Sequence, residues 1–278
     1  MSTVTPSASA NAFPASAADK NVRRLSPLYA TDLYYSYFDK GQTSMSVAYE
    51  DGSAHKFELL KRYEDKDTGF VAASFINRDD GHAVLLYKGM DRPFSDQGGG
   101  RFRFLKHVWT IAQGHMNGYS AEHKNAENAY FETMNNPAVK DMEIGGFSMG
   151  TMFSNYLAAK YDAKATVFAD LGISDRQLAQ IFNERAKNEP TSVAPAHGLD
   201  TMIQKMRENV TVLKMKGDLL PQIFALGASR GRIIDIDHGP EDPGGIEHNP
   251  AIYSNRAEII EASLGLPNFI RGLVPKIA

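Results

Sequence analysis

The sequence predicts an α/β fold: a mixed, mostly parallel sheet flanked by helices, with antiparallel strands at its N-terminal end. Three observations lead there. From about residue 120, short β-like runs alternate with segments of helical periodicity, at a spacing suited to strand–helix–strand units. Before that point, four β-like runs fall into two pairs, each joined by a short polar turn that carries glycine. No run approaches the ~18 consecutive apolar residues of a membrane span. The best strand-like run, 83–87, stops at Lys88, so the apolar segments read as core elements.

Composition narrows the function classes. The chain has 278 residues, 42% hydrophobic and 23% charged, which are ordinary values for a protein with a real core. Thirty Lys and Arg against 33 Asp and Glu leave a net charge of −3, which excludes a nucleic-acid binder held by bulk charge. The absence of cysteine removes a disulfide framework, a cysteine metal site and a thiol nucleophile together, and suits a reducing cytosol. Residues 1–24 stand apart: 12 of the first 20 are Ser, Thr or Ala, with neither the charged start nor the apolar stretch of a Sec signal. They are expected to be disordered. Residues 25–278 are expected to form one domain. The expected location is cytoplasmic, the alternative being export by a signal-peptide-independent route.

The elements follow in order. Residues 27–38 are rich in aromatics and read as a short packed helix. Runs 44–49 and 55–60 flank Glu50-Asp51-Gly52, and runs 70–76 and 82–87 flank a five-residue polar turn ending in Gly81, so both pairs read as hairpins. A helix over 120–135 begins at Ser120 and carries Ala126, Ala129, Tyr130 and Met134 at helical spacing. A short strand at 142–144 leads into Gly145-Gly146-Phe147-Ser148-Met149-Gly150. The next helix places Met152, Phe153, Tyr156, Leu157 and Tyr161 along one stripe. A strand at 165–169, a helix at 175–187 and strands at 210–215 and 232–236 come next, then a Gly- and Pro-rich acidic loop and a last helix at 255–263.

The chemistry is carried by Gly146-Phe147-Ser148-Met149-Gly150, a match to G-x-S-x-G. The pattern alone decides little, because Gly227-Ala228-Ser229-Arg230-Gly231 matches too. Context separates them. A serine exposed on a sharp turn needs a strand before it and a helix after it, and glycines where side chains would collide with the turn. Ser148 has both flanks; Ser229 precedes a strand and reads as a loop residue. A serine nucleophile needs a histidine base oriented by an acid, and in this context both lie later in the chain. That removes His55, His82, His107, His115 and His123. His197 follows Ser148 but lies before the next strand and before the best acid, which leaves His248 as preferred base with His238 as the alternative. Asp218, at the end of the 210–215 strand, is the preferred acid, and Asp170 is its rival. The Met149 N–H, one residue after the nucleophile, is the first oxyanion donor. The Met90 N–H, in the loop after the 82–87 strand, is the candidate for the second.

These segments resemble a family. Tyr87-Lys88-Gly89-Met90-Asp91 looks like the F-R-G-T-D segment of class 3 lipases and their bacterial lipase-like relatives. Residues 146–151 are similar to their G-H-S-L-G-G elbow, Gly217-Asp218-Leu219-Leu220-Pro221 to their acid segment, and His248 with Tyr253 to the histidine and tyrosine near their C-terminus. The resemblance runs from about 65 to about 260. It implies an α/β-hydrolase fold that cleaves carboxylic esters of lipids through Ser148, Asp218 and His248, with no metal or other cofactor. Lys88, Met90, Phe147 and Thr151 depart from the pattern, and Met90 leaves only a backbone donor where the family has a hydroxyl.

Residues 101–109 join basic and aromatic side chains in a stretch that would lie over the elbow, either as a lid touching an anionic lipid surface or as a core helix with a solvated basic face. Trp109, the sole tryptophan, is expected in the core. The expected function is a serine esterase or lipase, with phospholipid the preferred substrate by analogy. The alternatives are a thioesterase or small-ester esterase, and a non-catalytic binding or effector module on the same fold. No nucleic-acid partner is expected, and the sequence does not set an oligomeric state.

Overall fold

Two strands with every residue buried form the middle of the molecule, and the rest is arranged around them. In a computed structural model, residues 25–90, 109–111, 113, 119–188, 198–215 and 225–236 are described. The expected disordered segment 1–24, the helix at 255–263, most of the basic stretch 101–109, and Asp218, His238 and His248 lie outside these residues.

Among the described residues the sheet has eight strands in strictly sequential order: β1 Ser44–Ala48, β2 Ala54–Glu64, β3 Val71–Ile76, β4 His82–Tyr87, β5 Asp141–Phe147, β6 Lys164–Phe168, β7 Val210–Met215 and β8 Arg232–Ile236. Pairings from β1 through β4 are antiparallel, and those from β4 through β8 are parallel. The change comes where hairpin turns give way to helical crossovers, because parallel neighbours cannot be joined by a tight turn. β3 and β4 are buried at every residue, as their continuous apolar runs require of strands covered on both faces. Burial falls to alternation in β7 and to a mostly exposed β8.

One face of the sheet is covered by α1 (Tyr29–Tyr34), which continues as a π-helical turn over Tyr35–Asp39. Leu33, Tyr34 and Tyr37 pack there with Phe57, Phe75, Phe147 and Phe168. Tyr29 reaches into the sheet, its hydroxyl donating to the Ile144 carbonyl at 2.8 Å. The opposite face carries α2 (Ala121–Met134), α3 (Gly150–Tyr161), α4 (Asp175–Asn188) and α5 (Leu199–Asn209). Every residue of α3 from Gly150 to Ala159 is buried, which fits a helix apolar nearly all round. Asp162, in the left-handed conformation just past α3, ties the outer helices down: its carboxylate takes Arg185 from α4 at 3.0 Å and Lys205 from α5 at 2.7 Å. With its mixed sheet, helices on both faces and a strand–turn–helix elbow at Ser148, the protein has an α/β-hydrolase fold.

Three differences from the sequence reading have physical causes. β5 runs on through both glycines to Phe147, since neighbours β4 and β6 supply ladder partners that local propensity ignores. Helix α5 has no counterpart in the sequence reading, although Leu199, Met202, Ile203 and Met206 are spaced as one helical stripe; Met202 and Met206 are its buried contacts. Trp109 is 58% exposed rather than in the core. Its neighbours Thr110 and Ile111 take the inward positions, with the Thr110 hydroxyl donating to Glu122 at 2.6 Å, and this turns the indole outward. Among the described residues no helix is long and apolar enough to cross a membrane.

Candidate active site

Ser148 sits where β5 ends and α3 begins, at φ 52°, a left-handed conformation that L residues other than glycine adopt rarely. Such an outlier persists only if its surroundings over-determine it. They do so from both sides. The Ser148 N–H donates to the Phe168 carbonyl at 3.1 Å, extending the β5–β6 ladder into the turn. The Ser148 carbonyl accepts from the Thr151 N–H at 2.9 Å and from the Thr151 hydroxyl at 2.6 Å. Ser148 is 7% exposed.

The glycines flanking it leave no room for a side chain. A Cβ on Gly146 would lie 2.5 Å from the Gly150 carbonyl oxygen, and one on Gly150 would lie 2.2 Å from the Tyr87 carbonyl oxygen at the end of β4. The loop after β4 is equally close, since a Cβ on Gly89 would meet the Phe147 carbonyl at 2.8 Å and the Ser148 Cβ at 3.2 Å. Three backbone segments therefore converge on Ser148: the end of β4 with its loop, the end of β5, and the first turn of α3. Aromatic packing supports this from below. Gly89 donates its N–H to the Tyr34 hydroxyl at 2.9 Å, and the Tyr34 ring packs on Phe147 and Phe168 at 5.2 and 5.4 Å. No sequence signal marked Tyr34, because its role depends on α1 crossing beneath a turn more than 100 residues away.

Of the residues singled out by sequence, Ser148, Met149 and Met90 fall in this convergence or on the loop that enters it. Met149 heads α3 with φ −54° and ψ −33°. Among the described residues, neither the Met149 nor the Met90 N–H has a hydrogen-bond acceptor. Asp170 follows β6 at the same sheet end. Its carboxylate accepts from Asn155 at 2.7 Å, the Gly172 N–H at 3.0 Å and the Ser229 hydroxyl at 2.6 Å. The second G-x-S-x-G match thus lies in the loop before β8, with its serine bound to Asp170. Asp218, His238 and His248 lie outside the described residues. A cavity of about 420 Å³ opens elsewhere, between Tyr119, Tyr156 and the Gln177, Ile181 and Glu184 face of α4, and no elbow residue lines it. Among the described residues no group of three His, Cys, Asp or Glu is arranged to hold a metal ion.

No protein-family model matches the chain, and no curated protein matches it in sequence. Among solved structures it is similar to lipases. A fungal lipase aligns at 11% identity and a TM-score of 0.40, over 80% of this chain and 81% of that one. A mutant form of MDLA from Penicillium cyclopium aligns at 12% identity and 0.40, over 78% and 79%. Lip2 lipase from Yarrowia lipolytica aligns at 10% identity and 0.36, over 65% of this chain and only 66% of that one. Likeness at this level carries no argument about activity; the fold rests on the sheet and its elbow.

Proposed function

We propose that the protein is a serine hydrolase of carboxylic esters, with Ser148 as nucleophile, Asp218 as acid and His248 as base, acting through an acyl-enzyme. The observation that carries the reading is the conformation of Ser148: a non-glycine residue held at φ 52° on a strand–turn–helix elbow, between two glycines with no room for a Cβ. A turn of this shape lifts the serine hydroxyl clear of the sheet edge. Asp162 and Ala169 share the left-handed conformation, but at Ser148 it is combined with the elbow and its two crowded glycines, the setting in which such strain is kept at functional sites.

In this mechanism His248 takes the Ser148 proton as the hydroxyl attacks the ester carbonyl. The oxyanion is received by the Met149 and Met90 N–H groups, and His248 then protonates the leaving alcohol. Water activated by the same histidine releases the acid. The availability of both amides supports their role. Asp218 is preferred to Asp170 because the Asp170 carboxylate is engaged by Asn155, Gly172 and Ser229. His238 remains the alternative base. The class 3 lipase resemblance makes a lipid ester, with phospholipid foremost, the proposed substrate class, and residues 101–109 the proposed contact with a membrane surface. The exposure of Trp109 fits such a contact.

The deciding experiment is labelling of the purified protein by a fluorophosphonate, followed by turnover of short p-nitrophenyl esters. Wild type labels and turns over, and Ser148→Ala does neither. Asp218→Ala and His248→Ala lose about 10³-fold or more in kcat. Full activity in His248→Ala moves the base to His238, and absence of labelling in wild type leaves the non-catalytic binding module.

A further inference from the structure

The side chain at Thr151 stands where the resembling lipases have glycine, and it is the one elbow residue whose chemistry the proposed reaction leaves unused. It is fully buried, yet its hydroxyl is bonded on both sides. It donates to the Ser148 carbonyl at 2.6 Å and accepts the Leu171 N–H at 3.1 Å. Leu171 belongs to the loop after β6, which is itself anchored. The neighbouring Asp170 carboxylate takes Asn155 of α3, the Gly172 N–H and Ser229, and the Leu171 carbonyl accepts the Leu226 N–H at 2.7 Å. The hydroxyl therefore joins the elbow to a frame made of α3, the β6–α4 loop and the segment leading into β8.

The consequence follows from peptide geometry. The Ser148 carbonyl and the Met149 N–H belong to one planar trans peptide unit, and they point to opposite sides of it. Fixing the oxygen fixes the direction of the N–H. The Thr151 amide alone already bonds that oxygen, as any first helical turn provides. The hydroxyl adds a second restraint, at a residue whose left-handed conformation would otherwise tend to relax by rotation of that same peptide.

We infer that Thr151 is a positioning residue: through its bridge from the Ser148 carbonyl to the Leu171 amide, its hydroxyl aims the Met149 N–H at the developing oxyanion. This deepens the serine-hydrolase reading and rests on it. Thr151→Val keeps the shape and removes the bridge, whereas Thr151→Ser keeps the bridge and removes a methyl group.

The test compares wild type, Thr151→Val and Thr151→Ser for fluorophosphonate labelling rate and for kcat and KM on a p-nitrophenyl ester, at a temperature where all three are folded by circular dichroism. Amide exchange at Met149 and Leu171 is followed in the same proteins. Thr151→Val is expected to lower the labelling rate and kcat about tenfold with KM little changed, the size of effect that one hydrogen bond controls. It is also expected to speed exchange at both amides, and Thr151→Ser is expected to restore the rates to within about twofold. Should the valine variant not fold, Thr151→Ala makes the same comparison. Equal rates in wild type and the hydroxyl-free variant overturn the inference while leaving Ser148 as nucleophile. Equal loss in the serine and valine variants also overturns it, since packing would then be the cause. A wild type that does not label overturns the hydrolase reading itself, and the inference with it.

Discussion

The two ends of the parallel strands carry opposite kinds of unusual chemistry. At the C-terminal end lies the elbow, where Ser148 is held in a left-handed conformation by backbone packed too closely for any Cβ. At the N-terminal end, roughly 20 Å away along the strands, lies a cluster of ionisable groups around the buried His82, with Glu143 mostly buried and Asp141 partly exposed. His82 opens β4 with Nε2 at 3.7 Å from Glu143 and Nδ1 at 4.0 Å from Asp141, both on β5. Burial pushes the Glu143 carboxyl up to about 7 and pushes the His82 imidazole below its usual value, against the pull of Asp141 and Asp80. Among the described residues the buried His82 Nε2 has no hydrogen-bond partner. Displaced titration is often taken as a pointer to an active site. Here it marks His82 and Glu143 at the end of the sheet away from the elbow, and also Glu122 and His123 at the start of α2, all displaced first by burial. It therefore does not single out the elbow, and His82 and Glu143 are read as a burden on stability.

That contrast can be broken at either end, and the largest effect is expected at the elbow. Gly150→Ala would push a Cβ to 2.2 Å from the Tyr87 carbonyl oxygen, which belongs to a buried strand and cannot swing away. A loss of about 3–5 kcal/mol or failure to fold is expected, as for other severe steric changes. It is measured by urea unfolding, and near-wild-type stability would mean that the three segments are not as tightly joined as described.

At the other end, Glu143→Gln tests the burden. Glu143 ionises near 4.5 in the unfolded chain and near 7 in the folded protein, so between these values the folded state holds a proton that the unfolded state has released. Stability contributed by this group therefore falls as pH rises through that window. The glutamine variant should match wild type near pH 4 and become progressively more stable relative to it, by at most about 3 kcal/mol at pH 8. Neighbouring His82, whose imidazole burial pushes below its usual value, is unchanged by the substitution and sets the residual slope. Ester turnover at pH 7.5 should be unaltered. A relative stability independent of pH would remove the assigned burden.

The smallest effect returns to Ser148. Glycine adopts φ 52° without the penalty a side chain incurs, so Ser148→Gly is expected to raise stability by about 1 kcal/mol while abolishing fluorophosphonate labelling. A lower melting temperature for this variant would mean that the serine side chain contributes more to folding than its conformation costs. A rise together with lost labelling is the pattern of a strained functional residue.

Much of the architecture was legible because it is written in local patterns. The two hairpins declare themselves by paired β-like runs around Gly52 and Gly81, and α2, α3 and α4 by apolar stripes at helical spacing. The elbow declares itself by two glycines two residues either side of a serine. What escaped the sequence reading depends on distant partners. β5 extends through Gly145 and Gly146 because flanking strands hold it, and α5 is short and polar over most of its surface, so its two buried methionines made a faint signal. Trp109 departs from expectation because bulk alone suggests burial, whereas the turn gives the inward places to Thr110 and Ile111.

The candidate site divides in the same way. Ser148, its glycines and the loop after β4 follow from the order of residues along the chain, since an elbow is a local structure with a local signature. The work of Tyr34 beneath the loop, of Asp170 as an anchor for Ser229 and Asn155, and of Thr151 as a bridge could not be read there. Each joins residues at least 15 positions apart in the chain apart from the short Thr151–Ser148 contact, and only the folded sheet brings them within hydrogen-bond range. The sequence by itself thus determined an α/β chain with a serine on an elbow. The tertiary structure decided which backbone segments press on that serine, because close approach between distant segments is a property of packing and leaves no period or motif behind.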